Sequence, residues 1–300
     1  MTTFTAGDIP AMSGKTVIVT GATSGVGLAT ARALAASGAR VVLAVRSTGK
    51  GKAAAAAFPG TAEVRELDLA SLRSVREFAA GWDGPVDLLI NNAGVAARSL
   101  ARTADGFEMD LGTNHLGHFA LTGLLPPHVT GRIVTVASQA ERLARLDLGD
   151  LGWQRRPYAH SRAYNDSKLA NLLFTAELQR RLTAAGSGVL ASAAHPGLVD
   201  TSMYRSDGPR RPADLLWGAL IRLAAQDPGQ GALPVLYAAV ADIPGNSFAG
   251  PSRLLHMRGA PQLIARSATA QDPDLARRLW AASERLTGVR FPLRPAAQAS

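Results

Sequence analysis

Apolar residues first gather in a short run, Thr16-Val17-Ile18-Val19-Thr20, recur with helical spacing over 25–37, and gather again over 40–45. Short runs of β-branched residues bounded by turn residues read as buried strands, and a 3.6-residue recurrence reads as helix. The unit is strand, helix, strand. Further strands are predicted at 63–66, 87–90, 132–137 and 188–194, with helices around 71–80, 106–124 and 162–185 between them. Such persistent alternation implies α/β architecture: a single doubly wound domain with one parallel sheet and helices on both faces. The domain is expected to run from 15 to 291, behind an N-terminal arm (1–14) and ahead of a Pro- and Ala-rich tail (292–300). A last helix is predicted over 273–286.

The alternation breaks over 198–231, where Pro209, Pro212 and Pro228 bracket the apolar stretch Leu215-Leu216-Trp217-Gly218-Ala219-Leu220-Ile221. The stretch is too short for a second core and follows a strand's carboxyl end, where open α/β sheets bind ligands. It reads as a small substrate lid; a peripheral helix pair packed on the sheet is the other reading.

Composition refines this picture. The chain carries 32 Lys plus Arg against 23 Asp plus Glu, a net charge of +9, which invites a nucleic-acid reading. The distribution argues otherwise. Lysine occurs only at 15, 50, 52 and 168, and the arginines are scattered singly or in pairs such as Arg155-Arg156, so no run marks a nucleic-acid patch. With no cysteine there is no disulfide framework and no thiolate chemistry. The first residues lack a signal-peptide pattern and no segment has the apolar length of an integral membrane span, so a cytoplasmic location is expected.

Directly after the first strand, Thr20-Gly21-Ala22-Thr23-Ser24-Gly25-Val26-Gly27 opens a helix. Glycines there let backbone N–H groups approach a pyrophosphate at the positive helix end. The second strand ends Val42-Leu43-Ala44-Val45-Arg46, where NAD-binding folds place an acid on the ribose 2′-hydroxyl. Arg46 would instead grip a 2′-phosphate, which points to NADP(H).

Tyr164 and Lys168 stand four apart on a predicted helix, so a phenol and an ammonium share one face. An adjacent cation favours the ionised phenol and equips it to exchange a proton with a carbonyl or alcohol oxygen. Ser138 follows the strand Ile133-Val134-Thr135-Val136-Ala137 and can donate to that oxygen. Asn91-Asn92-Ala93-Gly94 and Asn114 read, on their own, as turn or helix polars. His115 and His118 lack the spacing and carboxylates of a zinc helix, so no metal is expected.

Together these segments resemble the short-chain dehydrogenase/reductase family over 15–291, on Thr20-Gly21-x-x-x-Gly25-x-Gly27, Asp68-Leu69, Asn91-Asn92-Ala93-Gly94, Asn114, Ser138, Tyr164-x-x-x-Lys168 and Pro196-Gly197. The resemblance implies a Rossmann-type fold and an enzyme in which Tyr164 is the acid/base, Ser138 binds the substrate oxygen, and Lys168 holds the nicotinamide ribose. It implies that Asn114 holds a water linking Lys168 to solvent. It implies that Gly21, Thr23, Ser24, Gly25, Val26 and Gly27 cradle the pyrophosphate. Asp68 and Leu69 would meet the adenine, Asn91, Ala93 and Gly94 the adenosine side, and Pro196, Gly197, Val199 and Thr201 the carboxamide. Within the family, His195-Pro196-Gly197, Ser167-Lys168-Leu169-Ala170-Asn171 and Leu279-Trp280-Ala281-Ala282-Ser283-Glu284 are similar to the retinol dehydrogenase and protochlorophyllide reductase branch. Ala137 departs from the serine that many members have there, next to the acting hydroxyl.

The expected reaction is hydride transfer between NADP(H) and an apolar small-molecule carbonyl or alcohol, with residues 142–160 and the lid shaping the pocket. The family resemblance implies a homodimer or homotetramer. Two alternatives stand beside this reading: carbon–carbon double-bond reduction at the same site, and a non-enzymatic NADP(H)-binding module.

Overall fold

A computed structural model describes residues 3–125, 128–199 and 225–292. β1 (Thr16–Thr20), α1 (Gly25–Ala36), β2 (Arg40–Val45), α2 (Thr48–Ala55), β3 (Ala62–Glu66), α3 (Leu72–Ala80) and β4 (Val86–Asn91) alternate as the periodicity predicts except at α2, which the apolar spacing does not mark. α4 (Met109–Leu111) then passes through a π-helical stretch, Gly112–Leu116, into α5 (Gly117–Leu124). β5 (Val129–Val136), α6 (His160–Ala184) and β6 (Leu190–Ala194) follow, then α7 (Pro228–Val240), a hairpin of β7 (Phe248–Arg253) and β8 (Arg258–Leu263), and α8 (Pro273–Thr287).

The strands lie in the order β3-β2-β1-β4-β5-β6-β7-β8, parallel except for the antiparallel pair β7 and β8. Val19 of β1 sits opposite Leu43 of β2 on one side and Ile90 of β4 on the other. Strand order reverses between β1 and β4, and a crevice opens beyond their carboxyl ends.

Strand alternation sorts the core. Val17, Val19, Val41 and Leu43 face α1 and α7, whereas Ile18, Val42 and Ala44 face the layer that contributes Phe78, Phe119, Phe174 and Trp280. On that second face Trp280 stacks on Phe174 at 5.8 Å between ring centroids and lies 4.4 Å from Phe291, tying α8 and the following chain to α6. Residues expected to form an N-terminal arm belong to the first core: Ile9 and Met12 are buried there, and Phe4 meets Tyr237 edge-on at 5.3 Å.

The hairpin of β7 and β8 escaped the sequence pattern because prolines occupy both strands, Pro251 opposite Pro261, and an edge pair tolerates the missing N–H groups. Residues 228–231, expected within the lid, are instead the first turn of α7. Asp227 caps it, accepting from the N–H groups of Gly229 and Gln230 at 2.8 and 3.1 Å, and Pro228 takes the first helical position, where its missing N–H is harmless. The core of the expected lid, with Tyr204, Leu215, Leu216 and Trp217, lies outside the described residues. Among those described, no helix is long and apolar enough to cross a membrane.

Replacing Trp280 with alanine is expected to lower stability by about 3–5 kcal/mol, the usual result of emptying a buried aromatic site. Urea unfolding should show a lower midpoint at unchanged slope.

Candidate active site

The carboxyl ends of β1, β2, β4, β5 and β6 open onto a cleft of about 630 Å³. Its wall brings together most residues singled out in the sequence: Gly21 and the run Thr23 to Gly27, Arg46, Asp68 and Leu69, Ala93 and Gly94, Ser138, Tyr164 and Lys168, and Pro196, Gly197 and Val199. Asn91 and Asn114 stand behind that wall, and Thr201 lies outside the described residues.

At the floor, Gly21 has φ +67° and a side chain there would come within 2.8 Å of Ala93, so only glycine lets the loops after β1 and β4 touch. Ser24 precedes α1 in extended conformation and its hydroxyl does not cap the helix. The first turn, Gly25 to Gly27, therefore presents backbone N–H groups and the positive helix end to the cleft. Arg46 stands exposed at the far mouth, beside Ser47, which caps α2.

Thr20 ties these parts together. Its hydroxyl oxygen accepts from the N–H groups of Asn92 and Ala93, both at 2.9 Å, and lies 2.8 Å from His118 Nε2. With both lone pairs occupied the hydroxyl donates to His118, so Nε2 is the acceptor and Nδ1 carries the hydrogen. That hydrogen goes to the backbone carbonyl of Asn114 at 2.9 Å. The carboxamide of Asn114 in turn accepts from Val95 N–H (2.8 Å) and donates to the Val95 carbonyl and to Ser167 Oγ (2.9 Å each). The π-helical stretch that carries Asn114 is a rare element concentrated at functional sites.

Lys168 Nζ donates to the Val136 carbonyl at 3.1 Å and sits 5.6 Å from the centre of the Tyr164 ring. Gly94 leaves the space: a Cβ there would lie 3.4 Å from Asn114 Oδ1 and 3.5 Å from Lys168 Nζ. Burial pulls the Lys168 ammonium down to about 8, partly opposed by the charge of Asp110. Burial likewise pushes the Asp110 carboxyl up to about 7, with Glu108 adding to the rise and the Ala97 N–H and Lys168 opposing it. Ser138 lines the cleft and accepts from Ala140 N–H at 3.2 Å, capping the 3₁₀ segment Gln139–Leu143 that follows β5.

Several residues escaped the sequence reading. Asn92, not Asn91, lines the cleft and donates to the Thr20 carbonyl at 2.8 Å; the Asn91 amide points away and donates to Thr122 at 2.9 Å. Alternation along β4 is the signal that separates the two neighbours. His118 was legible as the residue one helical turn beyond Asn114. His195 lines the cleft beside Pro196, and His115 turns to Ser283 of α8 at 2.8 Å, so His115 and His118 serve different neighbours. Among the described residues that line the cleft none falls in 142–160; Arg156 stacks on Trp153 at 3.8 Å and Tyr158 reaches the Ala97 carbonyl at 3.3 Å, which folds that segment onto the loop after β4.

The short chain dehydrogenase family model matches residues 15–212. The chain belongs to the short chain dehydrogenase family. Members of this oxidoreductase family bind a nicotinamide cofactor, and the cradle formed by Gly21 and the open start of α1 suits its pyrophosphate. The chain is 43% identical to retinol dehydrogenase 13 of Homo sapiens, over 93% of this chain and 86% of that protein. It is 41% identical to polyprenol dehydrogenase of Mus musculus, over 94% and 86%. A crystal structure of an uncharacterized protein from Mycobacterium paratuberculosis, 51% identical, superposes with a TM-score of 0.86 over 97% of this chain and all of that one. These similarities place the chain in the retinol dehydrogenase-like branch of the family.

Thr20→Val keeps the volume but strands two N–H groups and His118, and is expected to destabilise by about 2–4 kcal/mol in urea unfolding. Acid should also unfold the protein early. Burial holds His115 and His195 down to about 3 and His118 down to about 4, whereas the unfolded imidazoles titrate at 6.5. The unfolded state therefore binds more protons below pH 6.5, and by pH 5 each histidine removes about 2 kcal/mol of stability. Asp110 and Asp166 have the opposite sign, burial raising both carboxyls, but they are two groups against three. Urea midpoints at pH 7 and pH 5 should differ in that direction.

Proposed function

We propose that the chain is an NADP(H)-dependent oxidoreductase that interconverts an apolar alcohol and its carbonyl, with Tyr164 as acid/base. The observation that carries this reading is the placement of a buried Lys168 one helical turn from Tyr164 on a cleft wall shared with Ser138. The relatives, a retinol dehydrogenase and a polyprenol dehydrogenase, support a long apolar alcohol as the substrate class.

A nicotinamide dinucleotide bound here supplies or accepts the hydride. The chain's own residues handle the proton. In the reducing direction the Tyr164 hydroxyl gives its proton to the substrate oxygen while the Ser138 hydroxyl donates a hydrogen bond to the same atom. The phenolate left behind is stabilised by the Lys168 ammonium, whose charge acts more strongly because it is buried. Asn114 positions the site, since its carboxamide is committed to Val95 and Ser167. Its backbone carbonyl accepts from His118 Nδ1, and there it would also hold the water that returns a proton toward Lys168. Gly25 to Gly27 would receive the pyrophosphate, Asp68 and Leu69 the adenine, and Pro196, Gly197 and Val199 the carboxamide. Arg46 at the mouth, where an acid would favour NAD, supports the phosphorylated cofactor.

The test is NADPH consumption with aldehydes and ketones of increasing chain length. Tyr164→Phe is expected to lose roughly 10²–10⁴-fold in kcat while still binding NADPH. Wild-type reduction of a carbon–carbon double bond and of no carbonyl would overturn the assignment. Arg46→Ala should lower kcat/KM for NADPH about ten- to a hundredfold and leave NADH turnover nearly unchanged; equal losses with both cofactors would remove Arg46 from phosphate recognition.

A further inference from the structure

One buried side chain on the cleft wall has polar atoms that the protein itself does not satisfy. Among the described residues that line the cleft, His195 alone keeps buried side-chain polar atoms unpaired, and it keeps two, Nδ1 and Nε2. The residue is 4% exposed, too little for bulk water to compensate. Burial holds its pKa down to about 3, so at neutral pH the ring carries one N–H donor and one lone pair. Protein interiors seldom leave such a group unsatisfied, and one on a cleft wall is placed for what enters the cleft.

The backbone fixes where the ring stands. His195 N–H donates to the Ala249 carbonyl at 2.7 Å, extending the ladder in which Ala193 and Ala194 of β6 oppose Phe248 and Ala249 of β7. One residue on, the Pro196 carbonyl accepts from Gln226 Nε2 at 2.7 Å, and Gly197 is held at φ +78°. On the other side of β6, Val136 pairs with Ala194 and Ala137 N–H donates to the Ala194 carbonyl at 2.8 Å, which sets Ala137 beside His195 one step beyond the end of the ladder. Residues two apart share a strand face, so His195 follows Ala193 onto the side where Ala193 and Ala137 pack against Leu169, Leu172 and Leu173 of α6. Ala137 is the position at which many members of the family carry serine, and a methyl group offers the imidazole no hydrogen bond.

The chemistry of the cleft selects the partner. In the proposed reaction the substrate oxygen accepts from Tyr164 and Ser138, which occupies both lone pairs of a carbonyl and leaves none for a third donor. His195 instead stands between Lys168, expected on the nicotinamide ribose, and Pro196-Gly197, expected on the carboxamide. A carboxamide presents an acceptor oxygen and a donor NH₂, so it can pair with either nitrogen of a neutral imidazole.

We propose that His195 is a cofactor-binding residue whose imidazole hydrogen-bonds the carboxamide of the bound nicotinamide, and that alanine at 137 leaves the ring free to do so. The choice of the amide over the substrate rests on the roles proposed above for Tyr164 and Ser138.

The experiment is calorimetric titration of the full chain with NADPH and with adenosine 2′,5′-bisphosphate, which carries the adenine end and no nicotinamide. His195→Leu is expected to bind NADPH about three- to tenfold more weakly, the loss of one hydrogen bond, and to bind the bisphosphate as the wild type does. Its thermal midpoint without ligand should be unchanged or higher, because an apolar side chain replaces two unpaired polar atoms. Ala137→Ser gives the ring a partner from within the protein and should move all three readouts the same way; should the leucine variant fail to fold, the serine variant decides alone. Equal weakening of both ligands, or NADPH affinity unchanged in both variants, overturns the proposal. So does a raised substrate KM at unchanged NADPH affinity, because that assigns the imidazole to the substrate. NADPH weakened selectively in a protein whose wild type reduces no carbonyl would sink the proposed reaction and leave His195 on the amide.

Discussion

The cleft depends on one hydroxyl. Thr20 ends the central strand with its oxygen saturated by two N–H groups of the loop after β4 and its hydrogen given to His118, which passes the constraint to the backbone of Asn114. From there Asn114 fixes Val95 and Ser167, one residue before Lys168. The helix start, the β4 loop and the Tyr164–Lys168 face of α6 are thereby held by one buried chain of bonds. Buried polar networks are demanding: fully satisfied they select one arrangement, and a single missing partner leaves a desolvated group exposed to no compensation.

That arrangement explains why charge is tolerated so deep. Lys168 has one backbone carbonyl and the distant field of Asp110 to support its ammonium, and burial draws its pKa toward the working range. An ammonium that is only weakly satisfied by the protein has most of its interaction left for whatever enters the cleft. Asp110 is its counterweight, bonded through one oxygen to Ala97 N–H at 2.8 Å on the loop that Asn114 also clamps. The two residues, one helical turn apart across the π-helical stretch, hold neighbouring points of the same cleft wall.

Beyond the cleft, the chain's departures from regular alternation share a location. The β7–β8 hairpin and the start of α7 flank the residues that precede and follow 200–224: Leu198 bonds to Met257, Gln226 N–H donates to the Leu198 carbonyl at 2.8 Å, and Gln226 Nε2 reaches the Pro196 carbonyl at 2.7 Å. The chain leaves and returns at one pinned point beside the Pro196–Gly197 wall of the cleft. Conserving that point needs Gly197 at φ +78°, where a side chain would strike Met257, Gln226 and Pro251 together.

The sequence by itself determined the strand–helix order through β6, apart from α2, because buried parallel strands must be continuously apolar and amphipathic helices must repeat every 3.6 residues. It also marked Tyr164, Lys168, Ser138 and the glycine turn, which share the cleft wall, since each sits at a strand end or within one helical turn of its partner. Tertiary structure alone decided the rest. The edge hairpin was hidden by its prolines, α7 by a proline that favours a helix start, and the role of Asn92 over Asn91 by which side of β4 each faces. The Thr20–His118–Asn114 chain joins residues 20, 114 and 118, and the wall of the cleft joins Gly21, Arg46, Lys168 and Gly197. Such contacts form only when a twisted sheet brings distant strand ends side by side, and no local pattern records that distance.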